Sequence, residues 1–104
     1  MANRWGIPIW LESEVRERDR TCVYCQRPFE DRSATAGASW EHIINDIQLV
    51  TRENIVLCCR SCNASKGQKT LGEWLKSPYC QNRGITKDTL SPIVRQALIR
   101  SSEM

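Results

Sequence analysis

Nowhere in its 104 residues does the chain carry an apolar run near the roughly 20 residues that a membrane-spanning helix needs. The first eight residues, MANRWGIP, lack the apolar core of an export signal. No membrane association is therefore expected, and a cytoplasmic location is. There is no internal repeat and no low-complexity segment, which excludes a solenoid and a compositionally disordered tail. Histidine is almost missing: His42 is the only one. A chain this short also lacks the bulk for a generous apolar core, and small domains commonly add a metal or disulfides.

Cysteine, by contrast, is plentiful, with six residues. Four of them form two matched pairs, Cys22-x-x-Cys25 and Cys59-x-x-Cys62. Paired C-x-x-C motifs without an export signal read as metal ligands in a reducing compartment. Four thiolates close a tetrahedral zinc site with no open position, so the expected role is structural. The 33 residues between the pairs exceed the interval of a simple zinc ribbon. Zinc would clamp the base of a functional insert. Cys58 competes with Cys59 as a ligand, but the C-x-x-C spacing favours Cys59, and Cys58 and Cys80 read as free thiols.

Net charge is +3, unevenly spread. Residues 1–51 hold six basic and eight acidic groups, whereas residues 52–104 hold nine and four. The basic second half suits a polyanion.

Pro8 to Asp19 is expected to be a helix whose inner stripe is Ile7, Leu11 and Val15, with Glu12–Arg16 and Glu14–Arg18 pairs outside. Glu30 to Ala38, polar and small, reads as a mobile surface loop. A short strand is expected around His42, then a wide loop from Asn45 to Glu53. A returning strand, Asn54 to Cys58, follows and runs into a short helix closed near Gly67. Thr70 and Glu73 form a capping box for another helix, which Ser77-Pro78 ends. A polar connection leads to a last helix opened by Ser91-Pro92, with Ile93, Val94, Ala97 and Leu98 inward. Trp5, Trp10, Trp40 and Trp74 read mostly as core. The result is one α+β domain: an N-terminal helix (1–21), a zinc-clamped core (22–67) and C-terminal helices (68–104).

Within that core, Glu41 sits among Trp40, Ile43 and Ile44, where an unpaired carboxylate is costly and a bound cation would remove the cost. Asn63 directly follows the last zinc ligand. Successive helical residues point about 100° apart, so Cys62 can face zinc while Asn63 faces elsewhere. A carboxylate and an amide oxygen are hard donors that suit magnesium or manganese.

This series, C-x-x-C, Glu41-His42, Asn54 and then C-x-x-C-N with Lys66-Gly67, resembles the HNH endonucleases, specifically their four-cysteine zinc-containing branch. The resemblance covers about Cys22 to Gly67 and implies a ββα-metal fold. It implies that Glu41 and Asn63 hold a catalytic divalent cation, Mg2+ or Mn2+, and that His42 is the general base. Asn54 would brace the loop so that His42 is correctly aimed. Two departures stand out: glutamate at position 41 replaces the commoner aspartate or histidine, and Asn45 stands where a proline often lies. Lys66, Arg60, Lys69 and Arg52 are the expected phosphate contacts, which position the backbone without reading its sequence. The expected partner is double-stranded DNA, nicked by one site; a homodimer or partner subunit would let both strands be cut. The competing expectation is a non-catalytic zinc module that binds nucleic acid or protein.

Overall fold

Two short strands and the helix after them form the centre of the molecule. In a computed structural model, which describes Asn3 and residues 5–102 (for 101 and 102 the backbone only), the order of elements is α1 (Ile9–Arg18), β1 (Ala38–His42), β2 (Ile55–Cys59), α2 (Arg60–Lys66), α3 (Leu71–Leu75), α4 (Pro78–Arg83) and α5 (Pro92–Ser102). The outermost parts of the expected segments 1–21 and 68–104, namely Met1, Ala2, Arg4, Glu103 and Met104, lie outside the described residues. The mixed architecture, a two-stranded antiparallel sheet and a following helix beside a cluster of four cysteines, is the α+β, ββα arrangement that the sequence predicts.

Strand pairing fixes what each face of the sheet carries. Trp40 lies opposite Leu57 and His42 opposite Ile55, while Ser39 lies opposite Cys58 and Glu41 opposite Val56. Directly opposed residues share a face. Ile55 and Leu57 pack with Ile7, Leu11 and Val15, the stripe expected for α1. Val56 and Cys58 belong to the other core, with Cys22, Tyr24, Trp74 and Val94. Consecutive Glu41 and His42 therefore point to opposite sides of one strand.

Local chemistry explains the ends of the elements. Cys59 Sγ accepts from the Cys62 amide at the start of α2, and Gly67, with φ of 51°, closes that helix. At α3 the capping box forms: Thr70 Oγ1 accepts from the Glu73 amide at 3.2 Å. Gly37 has no room for a side chain, since a Cβ there would sit 3.0 Å from Ser33 O and 3.1 Å from Arg60 Nε.

Three expectations are corrected. The connection after Ser77-Pro78 is itself a helix, α4, with Ser77 as its cap and proline in the first turn; the pair that ends α3 also begins the next helix. The Glu12–Arg16 pair forms, but Glu14 turns to Arg52, and Arg18 turns inward to Asp19 and the carbonyls of Arg52 and Ile55. Trp74 is core, whereas Trp5 is exposed, Trp40 is only half-buried, and Trp10 is exposed with Ile9 because α1 carries apolar residues on its outer side too. The segment 30–38 is a surface loop closed by a bond from the Glu30 amide to Ala36 O and joined to the start of α2 by bonds from the Ser61 amide to Thr35 O and the Arg60 amide to Gly37 O.

Candidate active site and metal cluster

The four paired cysteines converge. Their sulfurs all lie within 4.8 Å of one another, and Cys25 and Cys59 sulfurs are 3.9 Å apart. Tetrahedral zinc with bonds near 2.3 Å places its sulfurs roughly 3.8 Å apart, so the donor set fits that ion. The knuckle 22–25 is shaped by a Gln26 amide bond to Cys22 O, a Cys22 amide bond to Arg27 O, and Gln26 at φ 67°. Sulfur–sulfur hydrogen bonds pull Cys25 down to about 6 and Cys59 down as well, and push Cys22 and Cys62 up. A cation is bound by thiolates, so taking one up here would displace the thiol protons. Tyr79 OH adds a bond to Cys62 Sγ at 3.4 Å. Cys58 and Cys80 stay outside the cluster as buried thiols.

One residue beyond Cys62 the chemistry changes. Asn63 turns toward β1, and its Nδ2 donates to Ser39 Oγ at 3.0 Å and Trp40 O at 3.2 Å. With the nitrogen held, the amide is oriented and Oδ1 is its remaining hard donor. A cleft of about 460 Å³ is lined by all five residues of β1 together with Arg60 and Asn63. Residues from both faces of the strand line it, so it runs along the open edge of β1. That is how Glu41 and His42, pointing to opposite sides, border one space.

Glu41 is not the unpaired carboxylate that the sequence suggests. Its Oε2 accepts from Tyr24 OH at 3.0 Å and lies 3.3 Å from Lys66 Nζ. Lys66 is wholly buried and also donates to Ile43 O at 2.9 Å. Burial pushes the Glu41 carboxyl up, and the Lys66 charge and the Tyr24 hydroxyl oppose it. Lys66 therefore leaves the expected set of phosphate contacts. The cause is periodicity: it lies four residues after Cys62, on the same inner face of α2.

His42 is half-buried, and its Nε2 is covered and has no hydrogen-bond partner among the described residues. Burial lowers its basicity below the usual imidazole value, with Asp46 opposing, so the ring is neutral at pH 7. Beside it, Asn54 stitches the loop. Its Oδ1 accepts from the Ile44 amide at 2.7 Å, and its Nδ2 donates to Ile44 O and Leu49 O at 3.2 and 3.0 Å.

The remaining basic candidates fall in different places. Arg60 is exposed and lines the cleft. Lys69 is exposed by a neighbouring hollow that Ile43 and Asn45 also line. Arg52 is exposed but engaged: it pairs with Glu14 at 2.7 and 3.1 Å and lies over the Trp10 ring. Tyr24 and Ser39 were not anticipated from sequence. Tyr24 is a hydroxyl inside a C-x-x-C knuckle, and Ser39 is two residues before Glu41 on a strand and so on its face; both signals were present.

Residues 22–69 match the family model described as HNH endonuclease. Over 72 residues the chain is 29% identical to the CRISPR-associated endonuclease Cas9 of Corynebacterium diphtheriae. That alignment takes in 66% of this chain but spans 6% of the relative. No solved structure matches. Nuclease-type activity is what these likenesses support, and no helix is long and apolar enough to cross a membrane among the described residues.

Proposed function

We propose, from the match of residues 22–69 to the HNH endonuclease family model, that this chain is a metal-dependent DNA endonuclease that hydrolyses phosphodiester bonds. One observation carries the reading: Glu41, His42 and Asn63 border a single cleft of about 460 Å³, with Arg60 beside them.

In this reading neutral His42 is the general base. Its Nε2 is covered, so Nδ1 accepts the proton of the water that attacks phosphorus. Burial serves the role, because it keeps the imidazole unprotonated near neutral pH. Asn54 fixes the carbonyl and amide of Ile44, two residues beyond His42, and so aims the ring. Glu41 Oε1 and Asn63 Oδ1 would hold a hard divalent cation, Mg2+ or Mn2+. Such an ion, when bound, stabilises negative charge on the phosphate and on the departing 3′ oxygen, favouring 5′-phosphate and 3′-hydroxyl ends. Arg60, with Lys69 further along, contacts the DNA backbone. The four cysteines hold a structural zinc that seats Asn63. A single site cuts a single strand, so the expected product from supercoiled DNA is a nicked circle. A homodimer or partner subunit is needed for a double-strand break.

The test is a nicking assay on supercoiled plasmid with a magnesium and manganese series. Cleavage that needs the metal, and that His42→Ala abolishes with zinc content and melting unchanged, supports the proposal. No cleavage with any metal, with DNA binding intact in His42→Ala, supports a zinc-stabilised binding module instead. One observation favours that second reading: Lys66 already compensates Glu41 without a metal.

A further inference from the structure

A buried ammonium is an unusual neighbour for a carboxylate meant to hold a divalent cation. Lys66 is 0% exposed, and its Nζ is fixed between Ile43 O at 2.9 Å and Glu41 Oε2 at 3.3 Å. Tyr24 OH, itself fully buried, holds the same oxygen at 3.0 Å. The second candidate ligand, Asn63, is a neutral amide. Carboxylate, ammonium and amide together carry no net charge.

Magnesium-type sites are usually made by one or two carboxylates plus substrate phosphates, and the ion gives up its water reluctantly. Here the single carboxylate is already neutralised, and an arriving dication meets a fixed positive charge on the same group. Repulsion at that range in a partly buried site is large against thermal energy. A DNA phosphodiester would bring the negative charge that the protein does not supply. Arg60 lines the cleft where that phosphate would enter.

We infer that Lys66 is a resident counter-ion for Glu41 that makes loading of the divalent cation depend on the arrival of a DNA phosphate. Lys66 is thus a positioning residue. It holds one carboxylate oxygen, and it keeps the DNA-free protein from gathering the ion alone. The inference rests on the nuclease reading, in which Glu41 and Asn63 are the cation's ligands.

The experiment is a Mn2+ titration of zinc-loaded protein at pH 8, which favours the ionised carboxylate, reading free Mn2+ by electron paramagnetic resonance. A short duplex is present or absent, and a His42→Ala background prevents turnover. The expected result is that DNA tightens Mn2+ binding by about tenfold or more, an increment of about 1.4 kcal/mol. Lys66→Met, similar in length and uncharged, should tighten Mn2+ binding to the DNA-free protein by a comparable factor and shrink the gain from DNA. Zinc content and thermal melting establish that this variant is folded. Equal Mn2+ affinity with and without DNA overturns the inference, as does a folded Lys66→Met with unchanged affinity. Should Lys66→Met not fold, the comparison with and without DNA decides alone. Failure of the underlying reading looks different: Glu41→Gln would leave Mn2+ binding in the DNA complex unchanged, and the His42-intact protein would show no cleavage with any metal.

Discussion

Two clusters of donors meet at the junction of β2 and α2, and they differ in almost every respect. The sulfur cluster is closed: four equivalent soft ligands, three of them buried, from two knuckles 33 residues apart in sequence. The cleft along β1 is open: a carboxylate, an amide and an imidazole, all different, with polar partners already attached to two of them. A site that completes its own coordination can only hold the fold. A site that stops short leaves room for a substrate. The chain passes from one to the other in a single step, from Cys62 to Asn63, by the turn of a helix.

That contrast is broken most severely on the sulfur side. Cys59→Ala removes a ligand that is also the cap of α2, and a strong chelator strips the metal from all four. Structural zinc is worth on the order of 10 kcal/mol in small domains, comparable to a whole domain's stability. The expected outcome is loss of the cooperative thermal transition, with cleavage lost alongside it. A variant that still melts cooperatively without metal would make the cysteines incidental.

On the cleft side the expected effect falls on rate, not stability. His42→Ala should lower nicking by about 10²- to 10⁴-fold and leave the melting temperature within a few degrees. The pH dependence follows from burial. Because the folded ring is less basic than free imidazole, it is neutral through pH 7, and activity falls only as acid protonates it below about 6.5. The sign for stability is the same: the unfolded ring takes up protons first, so stability is full above the unfolded value and declines as pH falls. A rate that rises on acidification would exclude His42 as the base.

Asn54 sits between these extremes, being buried and bonded yet close to the cleft. Asn54→Ala leaves the Ile44 amide without its partner, at a cost of about 1–3 kcal/mol. Melting and nicking should both decline, the rate by more than the stability loss explains. Unchanged nicking in a folded Asn54→Ala protein would remove it from the site.

The same division explains what could be read from sequence. Both C-x-x-C pairs and the stripe of α1 were legible because each is a local pattern with a fixed spacing. Glu41, His42 and Asn63 stood out through a family resemblance and border one cleft in the fold. Partners set by tertiary packing were not legible. Glu14 has Arg18 at helical spacing but prefers Arg52, 38 residues away, which the return of β2 brings alongside. Glu41 was read as short of a positive charge because its partner lies 25 residues on, in α2. Lys66 was misplaced although Cys62, four residues before it, marked the inner face.

The smallest predicted effect separates two arginines that sequence treats alike. Arg60 lines the cleft, so Arg60→Ala should weaken DNA binding at low salt and reduce the slope of log affinity against log salt by about one. Arg52 already forks onto Glu14 and covers Trp10, and an exposed pair of that kind contributes little to stability. Arg52→Ala should therefore leave the salt slope unchanged and shift melting by a few degrees at most. Should both substitutions reduce the slope equally, the basic surface is a diffuse field, and the cleft has no privileged claim on the phosphate. Should only Arg60 do so, the backbone of the DNA lies along the open edge of β1, where the acid, the amide and the imidazole can reach it.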